Sequence, residues 1–241
     1  MVHGNRDYFN SMPLSTMYSM IDAAELAARL GSIDTFDRRG NVLWLTGFEE
    51  GIAEWKAGGK GTGYSVSAST DRAYSGGYSC KLVPGSTTTY EASISRYHYL
   101  PPSTRIGFEY AFFPSTKLSY IYSRMFFYKN GYLHDCRIRY DNVNKSIDYW
   151  TGNNVYTPLI TNVDLTINNP WWSIFKWVYD LDKGEYVRLI WNHTEQDMKG
   201  LTPVINPSPT RNNMYYDIGI VQSDGGQGPT YIDNVILTIN E

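Results

Sequence analysis

The sequence predicts an all-β protein, a two-sheet antiparallel sandwich preceded by an N-terminal arm and a short helix. Three observations carry that expectation. From residue 42 onward, short runs rich in Tyr, Val, Ile, Phe and Trp alternate apolar with polar positions. Clusters of Gly, Pro, Asn, Asp and Ser separate these runs. Helical spacing of apolar residues ends at Leu30, and no internal repeat or clear linker divides residues 42–241.

Taken in order, residues 1–14 are polar and aperiodic and read as an arm. "STMYSMIDAAELAARLG" then reads as a helix over about 15–30. Ser15, Thr16 or Ser19 can cap it, Ala and Leu fill it, and Gly31 follows its last residue. Met17, Ile21, Ala24 and Ala28 form a stripe that Leu26 and Leu30 widen. A helix this short is marginal in water, so the stripe must lie on its own domain or on a partner. Met17, Ile21, Leu26 and Leu30 are therefore candidate assembly contacts, and the chain divides into 1–40 and a sandwich over 41–241.

Strands are expected at 42–48, 64–68, 78–83, 90–99, 105–113, 118–127, 133–140, 146–150, 172–179, 186–191, 214–221 and 231–239. In 105–113, Ile106, Phe108, Tyr110 and Phe112 oppose Arg105, Gly107 and Glu109. In 133–140, Cys136, Ile138 and Tyr140 oppose Arg137 and Arg139. A turn at Asp182, Lys183 and Gly184 makes 172–191 a hairpin. The Pro-rich stretch 198–213 reads as a long contact or lid loop. In the closing strand Tyr231, Asp233, Val235, Leu237 and Ile239 fall on one face, so Asp233 needs a partner.

The 241 residues are 42% apolar and 19% charged, enough to build a sizeable core. A net charge of −3 without a Lys/Arg cluster argues against nucleic-acid binding. No apolar run approaches the roughly 18 residues of a membrane span, and "MVHGNRDYFNSMP" lacks the features of a secretory leader. Cytoplasmic synthesis follows as an expectation. Cys80 and Cys136 lack metal spacing; they read as buried thiols, with a disulfide as the alternative. Catalytic signatures are missing: there is no His-Glu-x-x-His, Gly-x-Ser-x-Gly or Cys-x-x-Cys pattern. His98 and His134 sit in strands, and Glu109 has no marked second acid, so no enzymatic activity is expected. "AGGKGTG" lacks the Lys-Ser/Thr ending of a phosphate loop and reads as a connection.

The 21 Tyr and 7 Trp exceed what strands alone require and suit ligand platforms or interfaces. Sugar binding calls for aromatic faces against C–H surfaces. Tyr120, Tyr122, Tyr128, Trp150, Trp172 and Trp177 are the candidates, each with core packing as its competing role.

"WLTGFEEGIAEWKAG", "STDRAYSGGYSCKL" and the terminal "YIDNVILTI" resemble the opening and closing strands of carbohydrate-binding-module jelly rolls of the galactose-binding-like kind. "WWSIFKWVYDLDKGEYVRLIWNHTEQDMKG" is similar to the laminin G or concanavalin-like pattern. Together these cover about 42–90 and 171–240. The resemblance implies a jelly-roll sandwich and a structural calcium where first and last strands meet, held by Glu49, Asp233 and the backbone near Asp71 and 75–77. Calcium takes roughly six to eight oxygen ligands, which carboxylates from both chain ends and a Gly-rich turn could supply. Glu50 is the alternate carboxylate, and hydrogen bonds from backbone or Tyr to Asp233 are the alternative to the ion.

Two functions follow as expectations. The first is a non-catalytic structural protein of a larger assembly, a phage capsid decoration, head or tail component at the virion surface, anchored by its arm to other subunits or to copies of itself. The alternative is an extracellular carbohydrate-binding module that takes glycans on exposed aromatics.

Overall fold

Period-two alternation builds two antiparallel sheets that bury their facing sides. The computed structural model describes residues 37, 39–86, 90–101, 105–153, 155–165, 171–208, 213–222 and 228–241. Arg39–Glu241 forms one compact unit. The expected helix, with Met17, Ile21, Leu26 and Leu30, lies outside the described residues.

The first sheet contains β1 (Asn41–Thr46), β3 (Ser65–Ser69), β4 (Ser79–Val83), β6 (Arg105–Phe113), β11 (Ser173–Asp180), β12 (Glu185–Trp191), β13 (Thr194–Asp197) and β16 (Thr230–Ile239). Its order is β13-β12-β11-β6-β16-β4-β3, and β1 also pairs with β16. The second sheet contains β2 (Lys56–Lys60), β5 (Tyr90–Tyr99), β7 (Leu118–Lys129), β8 (Tyr132–Asp141), β9 (Ser146–Gly152), β10 (Val155–Thr161), β14 (Val204–Pro207) and β15 (Asn213–Gln222). Its order is β10-β9-β8-β7-β15-β5-β2, with β14 beside β8. The all-β, two-sheet antiparallel architecture read from the sequence is the observed one, and it is consistent with a jelly roll.

Phe108, Tyr110 and Phe112 of β6 and Phe175, Trp177 and Tyr179 of β11 meet Met125, Ile138, Tyr216 and Ile218 from the other sheet. Burying one such side chain is worth about 1.5–3 kcal/mol. Several polar atoms in this core find partners inside. The Trp177 indole N–H donates to Ser123 Oγ at 2.9 Å, and the Arg137 amide donates to the Tyr186 hydroxyl at 2.9 Å. His134 Nδ1 lies 2.7 Å from the Tyr179 hydroxyl, so this histidine is part of the packing. Cys80 on β4 and Cys136 on β8 are free, buried thiols in different sheets, and burial pushes both pKa values up.

Three departures from the sequence reading are informative. β2, β10 and β13 are sheet edges, and none of the three was expected as a strand. The Pro-rich stretch 198–213 contains β14, paired with Tyr132–Asp135 of β8, so it is not a loop throughout. In β16, Asp233 does not share a face with Val235 and Leu237. Asp233 pairs Ala111 while Ile236 pairs Glu109, so one extra residue is inserted, and Asn234 adopts φ 45°. This bulge flips the alternation: Ile232, Val235 and Leu237 enter the core and Asp233 turns away from it.

Candidate functional site: a cationic cleft on the second sheet

Alternation on β7 sends Ile121, Ser123, Met125 and Phe127 inward, leaving Tyr120, Tyr122, Arg124 and Phe126 on the outer face. On β8 the outward set is Asp135, Arg137, Arg139 and Asp141. Antiparallel register then aligns rows across the sheet. Asp217, Arg124 and Arg137 form one row; Gly219, Tyr122, Arg139 and Asp148 form the next. An open cleft of ≈ 330 Å³ lies over these rows, bounded by Lys60 and Glu91 on one side and by Trp150 and Tyr156 on the other.

The rings in the cleft are not bare. Arg137 lies 4.4 Å above the Trp150 ring, Arg139 lies 4.0 Å above Tyr156, and Arg124 lies 5.0 Å from Tyr122. Each guanidinium is also gripped from beneath by acids. Arg124 Nε donates to both Asp217 oxygens at 2.8 and 3.0 Å, and Asp217 also accepts from the Tyr215 hydroxyl at 3.2 Å. Arg137 pairs with Asp135 through Nε and Nη2 at 2.6 and 2.5 Å. Arg139 reaches Asp148 through Nε and Asp141 through Nη2, both at 2.9 Å. These acids are buried while the arginines remain partly exposed. The acids thus fix the guanidinium planes and leave the cations at the surface.

Tyr122 sits low because Gly219 lies beneath it; a Cβ at Gly219 would come within 2.3 Å of the phenol. Its hydroxyl donates to Glu91 at 2.8 Å, and Lys60 pairs with the same carboxylate at 2.9 Å. Burial and then Asp217 push the Tyr122 pKa well above its ordinary value, while Tyr120 and Tyr156 are raised chiefly by burial. All three phenols therefore keep their protons at neutral pH. Burial also raises Asp217, against the pull of Arg124.

Of the aromatic candidates read from the sequence, Tyr120, Tyr122 and Trp150 come together in this cleft. Trp172 packs elsewhere, 5.6 Å from Tyr74 and 5.7 Å from Phe113. Trp177 is wholly buried in the core and presents no surface to a ligand. Tyr128 lies near the end of β7, paired with Leu133. The arginines, Lys60, Glu91 and Tyr156 do not stand out as site residues in the sequence. Their one signal is the outward placement of Arg137 and Arg139 opposite Cys136 and Ile138.

The carboxylates expected to hold calcium occupy a different region, where β1 and β4 both border β16. Asp233 is fully buried; its Oδ2 accepts the Tyr74 and Ser75 amides at 2.7 and 3.1 Å, and its Oδ1 accepts the Asn234 amide at 2.7 Å. Glu49 Oε1 accepts the Gly77 and Tyr78 amides at 2.9 and 3.0 Å. Asp71 is engaged by Lys81 Nζ at 2.6 Å and by the Tyr231 hydroxyl at 3.3 Å. Burial, reinforced by Glu49, pushes the Asp233 pKa up to about 6 against three backbone hydrogen bonds. The 74–78 segment thus turns amide donors toward both acids. Among the described residues no three His, Cys, Asp or Glu side chains converge to hold a metal.

No family model matches the chain, and no curated protein matches it. Solved structures do. The cellulose-induced protein Cip1 superposes with a TM-score of 0.56 at 15% identity, over 81% of this chain and 96% of that one. An endo-β-1,4-glucuronan lyase from the fungus Trichoderma reesei gives 0.56 at 12% identity, over 83% and 96%. A carbohydrate esterase from the Shiga toxin-encoding bacteriophage phi24B gives 0.53 at 11% identity, over 84% and 100%. Among the described residues no helix is long and apolar enough to cross a membrane. At these identities the likeness is one of fold alone: an all-β, two-sheet antiparallel sandwich consistent with a jelly roll.

Proposed function

We propose that the protein binds glycans in the cleft on the outer face of the second sheet. The observation that carries this reading is one juxtaposition: three guanidinium groups, each lying over an aromatic ring and clamped by a buried acid, beside Tyr120, Tyr122 and Tyr156 in an open cleft. Sugar hydroxyls need hydrogen-bond partners already fixed in place, because ordering flexible side chains on binding subtracts from affinity. The buried acids hold the arginines in advance. The cleft lies across adjacent strands spaced about 4.8 Å apart, so an extended chain of sugars can be contacted strand by strand. The names of the three similar structures also concern carbohydrates, which supports this reading over a structural role in a virion.

The test is a panel of neutral and acidic polysaccharides scored by affinity electrophoresis and titration calorimetry. Arg139→Ala removes the guanidinium that covers Tyr156 and lies 5.5 Å from Tyr120. It should weaken binding roughly tenfold or more while leaving the circular dichroism spectrum unchanged. Absence of binding across the panel, or binding indifferent to Arg139→Ala, defeats the proposal.

A further inference from the structure

Arg124 and Arg137 are direct cross-strand partners on the same face of β7 and β8. Like charges placed opposite one another in a sheet repel. Arg139 follows two residues along β8, and Lys60 borders the same cleft, so four cations share it with one surface acid, Glu91. Asp217 and Asp135, 1% and 7% exposed, offset the charges of Arg124 and Arg137 while both guanidinium groups stay partly open toward the cleft. The contacts to the buried acids engage Nε and Nη2 of Arg124, Arg137 and Arg139, and Arg137 also hydrogen-bonds Tyr156 on the wall of the cleft. A ligand carboxylate facing the two guanidinium groups gains charge-assisted hydrogen bonds, about twice as strong as those a neutral hydroxyl makes.

We infer that the cleft selects an acidic glycan, a polysaccharide of uronate residues, and seats a sugar carboxylate against Arg124 and Arg137. This rests on the glycan-binding reading and adds the chemical class of ligand. The geometry favours carboxylate over a diffuse anion because the planar guanidinium groups are fixed by Asp217 and Asp135 and match a planar acceptor.

The experiment compares polyglucuronate with the same polymer after reduction of its carboxyl groups, and with a sulfated polysaccharide of similar length, by calorimetry on the full chain. The acid form should bind at least about tenfold more tightly than the reduced form, with affinity falling as salt rises. Arg124→Gln and Arg137→Gln should each erase that preference. Arg137→Lys keeps the charge without the fork; it should lose most of the preference too and guards against misfolding of the Gln variants. Equal binding of acid and reduced polymers overturns the inference and leaves glycan binding standing. Equal binding of the sulfated polymer overturns it in favour of charge alone. Binding of none of the three polymers overturns it, whereas the wider panel alone decides glycan binding.

Discussion

Each sheet carries a cluster of cations and carboxylates on its outer face, and the two clusters are built to opposite ends. On the first sheet, Lys176 reaches Glu241 at 2.7 Å and Glu109 at 3.8 Å, Arg188 also pairs with Glu241, and Lys176 Nζ donates to the Arg39 carbonyl at 3.1 Å. Lys176 and Glu109 are 1% and 2% exposed. Two cations and two carboxylates close on one another out of water. On the second sheet the same chemistry is layered, acids beneath and guanidinium groups above, with Arg124, Arg137 and Arg139 partly open to solvent. Composition does not separate the two clusters. Sidedness does: a closed cluster can only hold the fold, whereas a layered one presents charge to a ligand.

The sharpest way to break this contrast is to remove one member of each cluster. Lys176→Met should cost about 3–5 kcal/mol, because it leaves buried carboxylates without their cation, and the melting temperature should drop by roughly 10 °C. Asp217→Ala comes next. It leaves Arg124 unclamped and should cost about 1–3 kcal/mol while also weakening glycan binding, since the guanidinium loses its fixed orientation. Arg137→Gln should change stability least, by about 1 kcal/mol, because the Gln amide can still donate to the buried Asp135, yet abolish the preference for acidic polymers. If Arg137→Gln destabilised as much as Lys176→Met, the distinction between the two clusters would collapse.

A smaller effect concerns Asp233. Its folded pKa, about 6, lies above the ordinary 3.8, so the folded state holds this proton more tightly than the unfolded chain. That contribution to stability is fully present below pH 3.8 and is lost as pH rises through about 6. Thermal melts between pH 4 and 7 should therefore show this contribution falling with pH. A calcium ion between Glu49 and Asp233 would reverse the sign, because it favours the ionised acids, and chelation would then lower the melting temperature. Identical melts with calcium and with chelator would exclude a stabilising ion.

The central strands were legible where apolar residues alternate along them: Ile106, Phe108, Tyr110 and Phe112 announce β6, although Gly107, Glu109 and Ala111 on its other face are buried as well. The edges were not. "KAGGK" of β2 and "TEQD" of β13 have no second neighbour to bury against, so selection for apolar alternation is weak there. For β11 alternation exists but does not choose a side, since every residue from Ser173 to Asp180 is buried; only the assembled sheets put Trp177 inside. The bulge at Asp233–Asn234 defeats any strict period of two. In the cleft, Tyr120, Tyr122 and Trp150 could be named as candidates from residue type. The arginines could not be grouped with them, because bringing Arg124 opposite Arg137 depends on the register between β7 and β8.

The pairing of β1 with β16 sets Asn41 opposite Ile239, so the sandwich starts and finishes at one place, on the sheet that does not carry the cleft. Such an arrangement makes the fold portable. Joining the two ends by a short bridge and reopening the chain at an exposed turn should yield a permuted protein with its ligand face intact. The same adjacency would let the sandwich be spliced as a cassette into a surface loop of an unrelated carrier.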